Sequence, residues 1–235
     1  SLDLSGWTFA EWTSGTDTIT LTGSTGSETF IGSSEAETLL VTATAQVSAG
    51  DRYDGGLGTD ILQIGVAGAG TSIDLSAGAT DGVNGFLNIE AVKFTNTSGT
   101  STATFNAGQF GAGKISNTVA VTGTASTQAL AINLSAGGSL DMSGWTFATW
   151  TSGTDTITVT GSTADEIIVA SSLIDRFVVS ASNQVTSGDR YNGGASNDIL
   201  QVGLAGVGTS VDLSAAATDG TNGFLSVEAI AFVNT

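Results

Sequence analysis

The side chains able to do chemistry in this chain are nearly all carboxylates, and many of them sit in or beside glycine-rich turns. The clearest case is GGLGTDILQ at Gly55 to Gln63, which sets Gly55, Gly56 and Gly58 ahead of Asp60 and the apolar Leu62. Glycines at those places let the backbone take positive φ and turn carbonyl oxygens toward one point. Asp60 adds a charged oxygen, and Leu62 is expected to face a core. Such a loop offers only hard oxygen donors, which suit Ca²⁺, and two stacked loops can supply the six to eight or so that the ion requires.

Related turns surround it. GSTGSETFI from Gly23 and GSSEAETLL from Gly32 follow one another at a nine-residue spacing, with Glu28 and Glu37 in the acidic place. Further along, GSTADEIIV and ASSLIDRFV put Glu166 and Asp175 there, and GGASNDILQ retains Gly193, Gly194 and Asp198 while Ser196 replaces the third glycine. Asp51 and Asp54, and their counterparts Asp189 and Asn192, flank the two best loops and are placed to complete a shell. Asp17 and Asp155 each lie in a half motif, GTDTIT.

Composition narrows the chemistry. The chain has 22 acidic and 5 basic residues in 235, a net charge of −17, with no His and no Cys. Thiolate metal sites, disulfides, Cys nucleophiles and Ser-His-Asp triads are therefore excluded. The charge disfavours nucleic acid and anionic lipid, and it calls for cations as partners. No apolar run is long enough to span a membrane as a helix. The start at Ser1, with no signal peptide, reads as a cut in a longer chain.

The elements that must position these turns form a long repeat. SLDLSGWTFAEWTSGTDTIT from Ser1 returns as SLDMSGWTFATWTSGTDTIT from Ser139, and the same offset holds without a gap to the end. Roughly 62 of the 97 aligned positions are identical. Residues 1–138 thus form one unit and 139–235 a second, incomplete one, with 98–138 represented once; further copies are expected in the natural protein. Apolar and polar residues alternate at 17–23, 59–65, 71–76, 118–123 and 130–135, in segments rich in Val, Ile and Thr and separated by glycine turns. The prediction is all-β, and the nine-residue spacing favours a solenoid over a sandwich, with Leu62 and Leu200 in the core. Trp7, Phe9 and Trp12, with Trp145, Phe147 and Trp150, are expected to pack or cap a coil.

GDRYDGGLGTDILQ, SGTDTITLTGSTGSETFIG and DLSAGATDGVNGFLNIEAV resemble segments of RTX proteins, the hemolysin-type calcium-binding repeat family. The resemblance implies a right-handed parallel β-roll or β-helix, secretion through a type I apparatus, an extracellular or cell-surface location and folding driven by calcium. It places calcium ligands at Gly55, Gly56, Gly58 and Asp60 and at Gly193, Gly194 and Asp198, and extends them to Glu28, Glu37, Glu166 and Asp175. The function expected is a non-catalytic, calcium-rigidified spacer or surface-layer module of an adhesin-like protein. Its partners would be calcium ions and neighbouring repeats, with cell-surface glycans or other copies of the protein beyond them. The competing expectations are a polysaccharide-acting β-helix lyase or epimerase and a carbohydrate-binding module. Against an enzyme, the five basic residues form no cluster, and Asp54 and Glu35 become Asn192 and Leu173 in the second copy. Thr18 and Thr20, or Thr102 and Thr104, suggest an ice-binding ladder that does not recur at coil spacing.

Overall fold

A computed structural model describes residues 1–13, 16–206 and 210–233; Gly15, which opens the first GTDTIT, lies outside them. The chain is all-β, built from short parallel strands. The first eleven are β1 (Leu2–Asp3), β2 (Ile19–Thr22), β3 (Thr29–Ile31), β4 (Glu37–Val41), β5 (Arg52–Asp54), β6 (Ile61–Ile64), β7 (Ser72–Asp74), β8 (Gly85–Leu87), β9 (Ile89–Phe94), β10 (Thr100–Asn106) and β11 (Ile115–Thr122). There follow β12 (Thr127–Asn133), β13 (Gly138–Asp141), β14 (Thr146–Ala148), β15 (Thr156–Thr160), β16 (Glu166–Val169), β17 (Asp175–Val179), β18 (Arg190–Asn192), β19 (Ile199–Val202), β20 (Gly223–Leu225) and β21 (Ala229–Phe232). All five alternating segments read from the sequence contain a strand.

Two compact units are formed. Ser1–Gln128 with Trp145–Trp150 make the first, and Ala129–Gly144 with Thr151–Thr235 the second. Their boundary differs from the sequence repeat, because the aromatic stretch that opens the second copy packs into the first unit.

In the first unit β1-β3-β5-β8 form one sheet and β2-β4-β6-β9-β11-β14 another, while β7 pairs with β10. Every neighbour is parallel and one coil away, which is the construction of a β-solenoid. The coil from Ile19 to its partner Glu37 takes 18 residues, two nonapeptides, whereas Thr38 to Ile61 takes 23 and Ile61 to Ala91 takes 30. Strand register survives these differences because the turns absorb them.

Alternation sends one side chain in two inward. Leu21, Leu39, Leu62, Val92, Val121 and Phe147 consequently stand in register, one per coil, and Leu62 is fully buried. On the other sheet Phe30, Tyr53 and Phe86 form an aromatic column, with Tyr53 and Phe86 stacked at 5.7 Å. The second unit repeats the plan: β13-β16-β18-β20 form one sheet, and β12, β15, β17, β19 and β21 pair in order in the other. Ile132, Val159, Phe177 and Leu200 make its inward column, with Leu200 buried and Ile230 in register with it on the exposed last strand.

Two strands of the duplicated part lack a counterpart: β14, since Thr8–Ala10 form no strand, and β7. Ser72–Asp74 form β7 by pairing with β10, but Ser210–Asp212, at the same place in the second copy, form no strand. The sequence supplies a partner only to the first, since β10 belongs to the segment present once.

Candidate functional site

The acidic turns share one local device. In all of them except the Gly55–Asp60 and Gly193–Asp198 loops, a carboxylate or carboxamide oxygen accepts the backbone N–H of the Ser or Thr four residues earlier and so closes the turn. The pairs are Thr13 with Asp17 (2.8 Å), Ser24 with Glu28 (3.1 Å), Ser33 with Glu37 (2.9 Å), Thr151 with Asp155 (2.6 Å), Ser162 with Glu166 (2.9 Å) and Ser171 with Asp175 (3.0 Å). Gln46, Gln128 and Gln184 do the same for Thr42, Thr124 and Ser180. A neutral amide serves as well, so closing the turn requires an acceptor and not a charge. The signal was present in the sequence as Ser or Thr followed four places later by Glu, Asp or Gln, and nonapeptide matching passed over it.

A second set of bonds stacks the acids from coil to coil. Asp51 Oδ1 accepts the Glu28 N–H at 2.9 Å, and Asp60 Oδ1 accepts the Glu37 N–H at 2.7 Å. Glu90 Oε2 in turn accepts the Asp60 N–H at 2.8 Å. The second unit repeats each link: Asp189 with Glu166 at 2.9 Å, Asp198 with Asp175 at 2.8 Å and Glu228 with Asp198 at 2.8 Å. Two acidic ladders, Glu37–Asp60–Glu90 and Asp175–Asp198–Glu228, result. Glu90 and Glu228 were missed by sequence reasoning because no glycine motif surrounds them.

The first two rungs of each ladder are interior, whereas Glu90 is half-buried and Glu228 exposed. Asp51, Asp60, Asp175, Asp189, Asp198, Glu37 and Glu166 are all buried. Asp60 Oδ2, Asp198 Oδ2 and Asp175 Oδ1 have no hydrogen-bond partner. Burial pushes the Asp60 carboxyl up to about 8, with the charges of Glu37 and Glu90 adding to it. Burial likewise raises Asp175 to about 7, helped by the charge of Asp198, and Asp198 to about 6, helped by Glu228. Hydrogen bonds from Ser24 lower Glu28, which lies nearer the surface.

The glycine loops fit over the preceding turn. Gly56 and Gly58 have φ of +88° and +122°, and a Cβ on Gly58 would lie 2.3 Å from the Glu35 carbonyl oxygen. Gly55 N–H donates to Leu87 O and Leu57 N–H to Ser33 O, pinning the loop to both neighbouring coils. In the second copy Gly194 has φ of +84°, while Ser196 holds +81° and donates its hydroxyl to Ser172 O. Gly193 N–H donates to Leu225 O. The flanking residues act locally. Asp54 pairs with Arg52 at 2.7 Å and accepts from Asn88 Nδ2, Asn192 accepts the Gly194 N–H, and Asp51 and Asp189 also accept the N–H groups of Ser48 and Thr186.

Measured against a calcium shell, the donors match in kind. Glu37, Asp54, Gly55 and Asp60 line one side of a small pocket of about 10 Å³, room for about one water, whose remaining lining is Leu21, Phe30, Leu39, Tyr53 and Ile89. An unpartnered, buried carboxylate oxygen on Asp60 is the atom a cation would satisfy. The carboxylates do not converge fully, however: among the described residues no three acidic groups meet at metal-binding distance. Backbone carbonyls would have to supply most of the shell. Asp17 and Asp155 stand apart from the ladders and close their own turns. Three basic side chains are occupied structurally, with Lys114 on the carbonyls of Thr80 and Gly108, Arg176 on Gln201 and Arg52 on Asp54.

Comparison with protein-family models, with curated proteins and with solved structures gives no match. The fold defines the class, a parallel β-solenoid repeat protein, and the site rests on its own geometry.

Proposed function

We propose that the chain is a calcium-responsive structural module, a β-solenoid spacer in a large secreted or cell-surface protein of the RTX kind. The observation that carries this reading is the buried part of the two acidic ladders, where unpartnered oxygens on Asp60, Asp175 and Asp198 ask for a cation that the chain's few basic residues do not provide. Arg52–Asp54 is the one ion pair among the described residues. A solenoid whose interior charge is matched only after calcium arrives would be loose at low calcium and stiff outside the cell, coupling metal binding to folding. Asp60 and Asp198 would be the central ligands, Glu37 and Asp175 their partners from the preceding coil, and the Gly55–Gly58 and Gly193–Gly194 loops the source of carbonyl oxygens.

Thermal unfolding followed by circular dichroism in calcium, in magnesium and in excess chelator, at constant ionic strength, tests the proposal. Calcium at a hundred times its dissociation constant adds about 2.7 kcal/mol per site, so the midpoint should rise by about 5 °C or more for each site filled. Magnesium should restore little, because it holds its water and demands a tight octahedron. Three coincident midpoints would overturn the reading and leave the acids as turn-closing acceptors alone.

A further inference from the structure

At the 138-residue offset, Ile230 and Phe232 on β21 stand where Val92 and Phe94 stand on β9. Val92 and Phe94 are each 1% exposed, whereas Ile230 is 60% and Phe232 75% exposed. The cause is visible in the pairing. β9 is covered by β11, with Val92 facing Val121, whereas β21 is the edge strand of its sheet. The missing strand at Ser210–Asp212 has the same origin, since β7 forms only against β10. Both covering strands come from Ser98–Gly138, the part of the repeat that occurs once.

The start of the chain shows the complementary defect. Trp7 is 57% exposed, with its ring 6.4 Å from that of Phe9. Its counterpart Trp145 is 4% exposed because it lies 4.8 Å from Phe110, while Phe147 pairs with Val121 and Trp150 lies 6.2 Å from Phe94. Phe110 and Val121 again belong to Ser98–Gly138, and Phe94 is the residue that Phe232 repeats.

We infer that the bare edge of β21 and the Trp7–Trp12 face are the two halves of one junction, and that the partner each fits is a coil with the sequence of Ser98–Gly138. The inner edge of that coil, at Val119 and Val121, covers β21. Its outer face, at Phe110 and Val121, receives Trp7, Phe9 and Trp12 of another copy. An intact second copy cannot supply the coil, because its own β11 is already held between β9 and β14. The junction is built from apolar surface and main-chain pairing independently of any metal.

The test fuses a second copy of residues 98–138 after Thr235 and compares it with the parent chain in calcium and in chelator. Amide exchange at Ala229–Phe232 should slow at least about tenfold in the extended chain, and protection should spread to Ser210–Asp212. Sedimentation should show the extended chain associating end to end with rising concentration, and Trp7→Ser in it should return it to monomer. Carrying Val119→Ser and Val121→Ser in the fused copy should abolish both effects. Unchanged exchange at β21, or an extended chain that stays monomeric, would overturn the inference. So would a parent chain that already protects β21 by self-association. Because the readout is local to β21 and is taken in both media, it separates from the fate of the calcium proposal.

Discussion

Replacing Glu37 with Gln separates the two roles that the geometry assigns to one carboxylate. As a turn acceptor, the side chain needs only an oxygen for the buried Ser33 N–H, the same service that Gln46, Gln128 and Gln184 perform. As a member of the ladder, it faces Asp60, whose Oδ2 has no partner and whose carboxyl it pushes up. A glutamine keeps the first role and changes the second, since its amide can donate to Asp60 Oδ2 and the like charge is gone. A buried acceptor left unsatisfied costs about 1–3 kcal/mol. In chelator at pH 8, Glu37→Gln should therefore stabilise the chain by about 1–2 kcal/mol, a midpoint shift of about 2–8 °C. Glu37→Ala, which orphans the Ser33 N–H, should destabilise by about 1–3 kcal/mol. In saturating calcium the order should reverse, with Glu37→Gln less stable than the parent because a charged ligand has been removed. Urea unfolding in both media gives all the values needed. If Glu37→Gln destabilises in chelator by more than about 1 kcal/mol, the turn depends on charge and the reasoning from the glutamine turns is wrong.

Two further outcomes follow from the same structure. Asp60, Asp175 and Asp198 have folded pKa values raised to about 8, 7 and 6, above the ordinary 3.8, so the folded state binds more protons between these limits. The stability these three groups contribute without metal should thus be full at and below about pH 4 and be lost as pH rises toward 8, with a slope of up to about 1.4 kcal/mol per pH unit for each group titrating; a midpoint in chelator that rises between pH 5 and 8 would refute the burial of these acids. Leu62→Ala and Leu200→Ala each empty a position at the centre of an inward column and should cost about 2–5 kcal/mol in urea unfolding, whereas less than about 1 kcal/mol would place these side chains outside the core.

The coils were legible in the sequence because strand alternation and nine-residue turn spacing are both local. Leu62 and Leu200 fall inward as the period of two requires, and the five alternating segments became strands. Longer coils were harder to see: Asp60 to Glu90 spans 30 residues, so nothing near Glu90 marks it as the next member of a ladder. The acids were read as ligands from their motif alone, yet each also closes a turn or receives a main-chain N–H from the adjoining coil. That second occupation is a matter of which coil lies beside which, and Glu37, Asp60 and Asp54 can share a pocket only after coils of 18, 23 and 30 residues have been laid in register. The fate of Ser210–Asp212 was hidden for the same reason, since its sequence nearly repeats β7 and only the neighbouring strand differs.

Parallel coils also set how each unit would meet a pulling force. Its main-chain bonds run from one coil to the next, so tension that draws successive coils apart loads them a few at a time, as a zip does, and not as one shearing block. Such a coil stack yields in small steps, each releasing 18 to 30 residues of slack, and nearest-neighbour contacts let a released coil close again on the one still standing. In a chain stretched between a surface and a load, that is the behaviour of a shock absorber whose stroke is set by coil length.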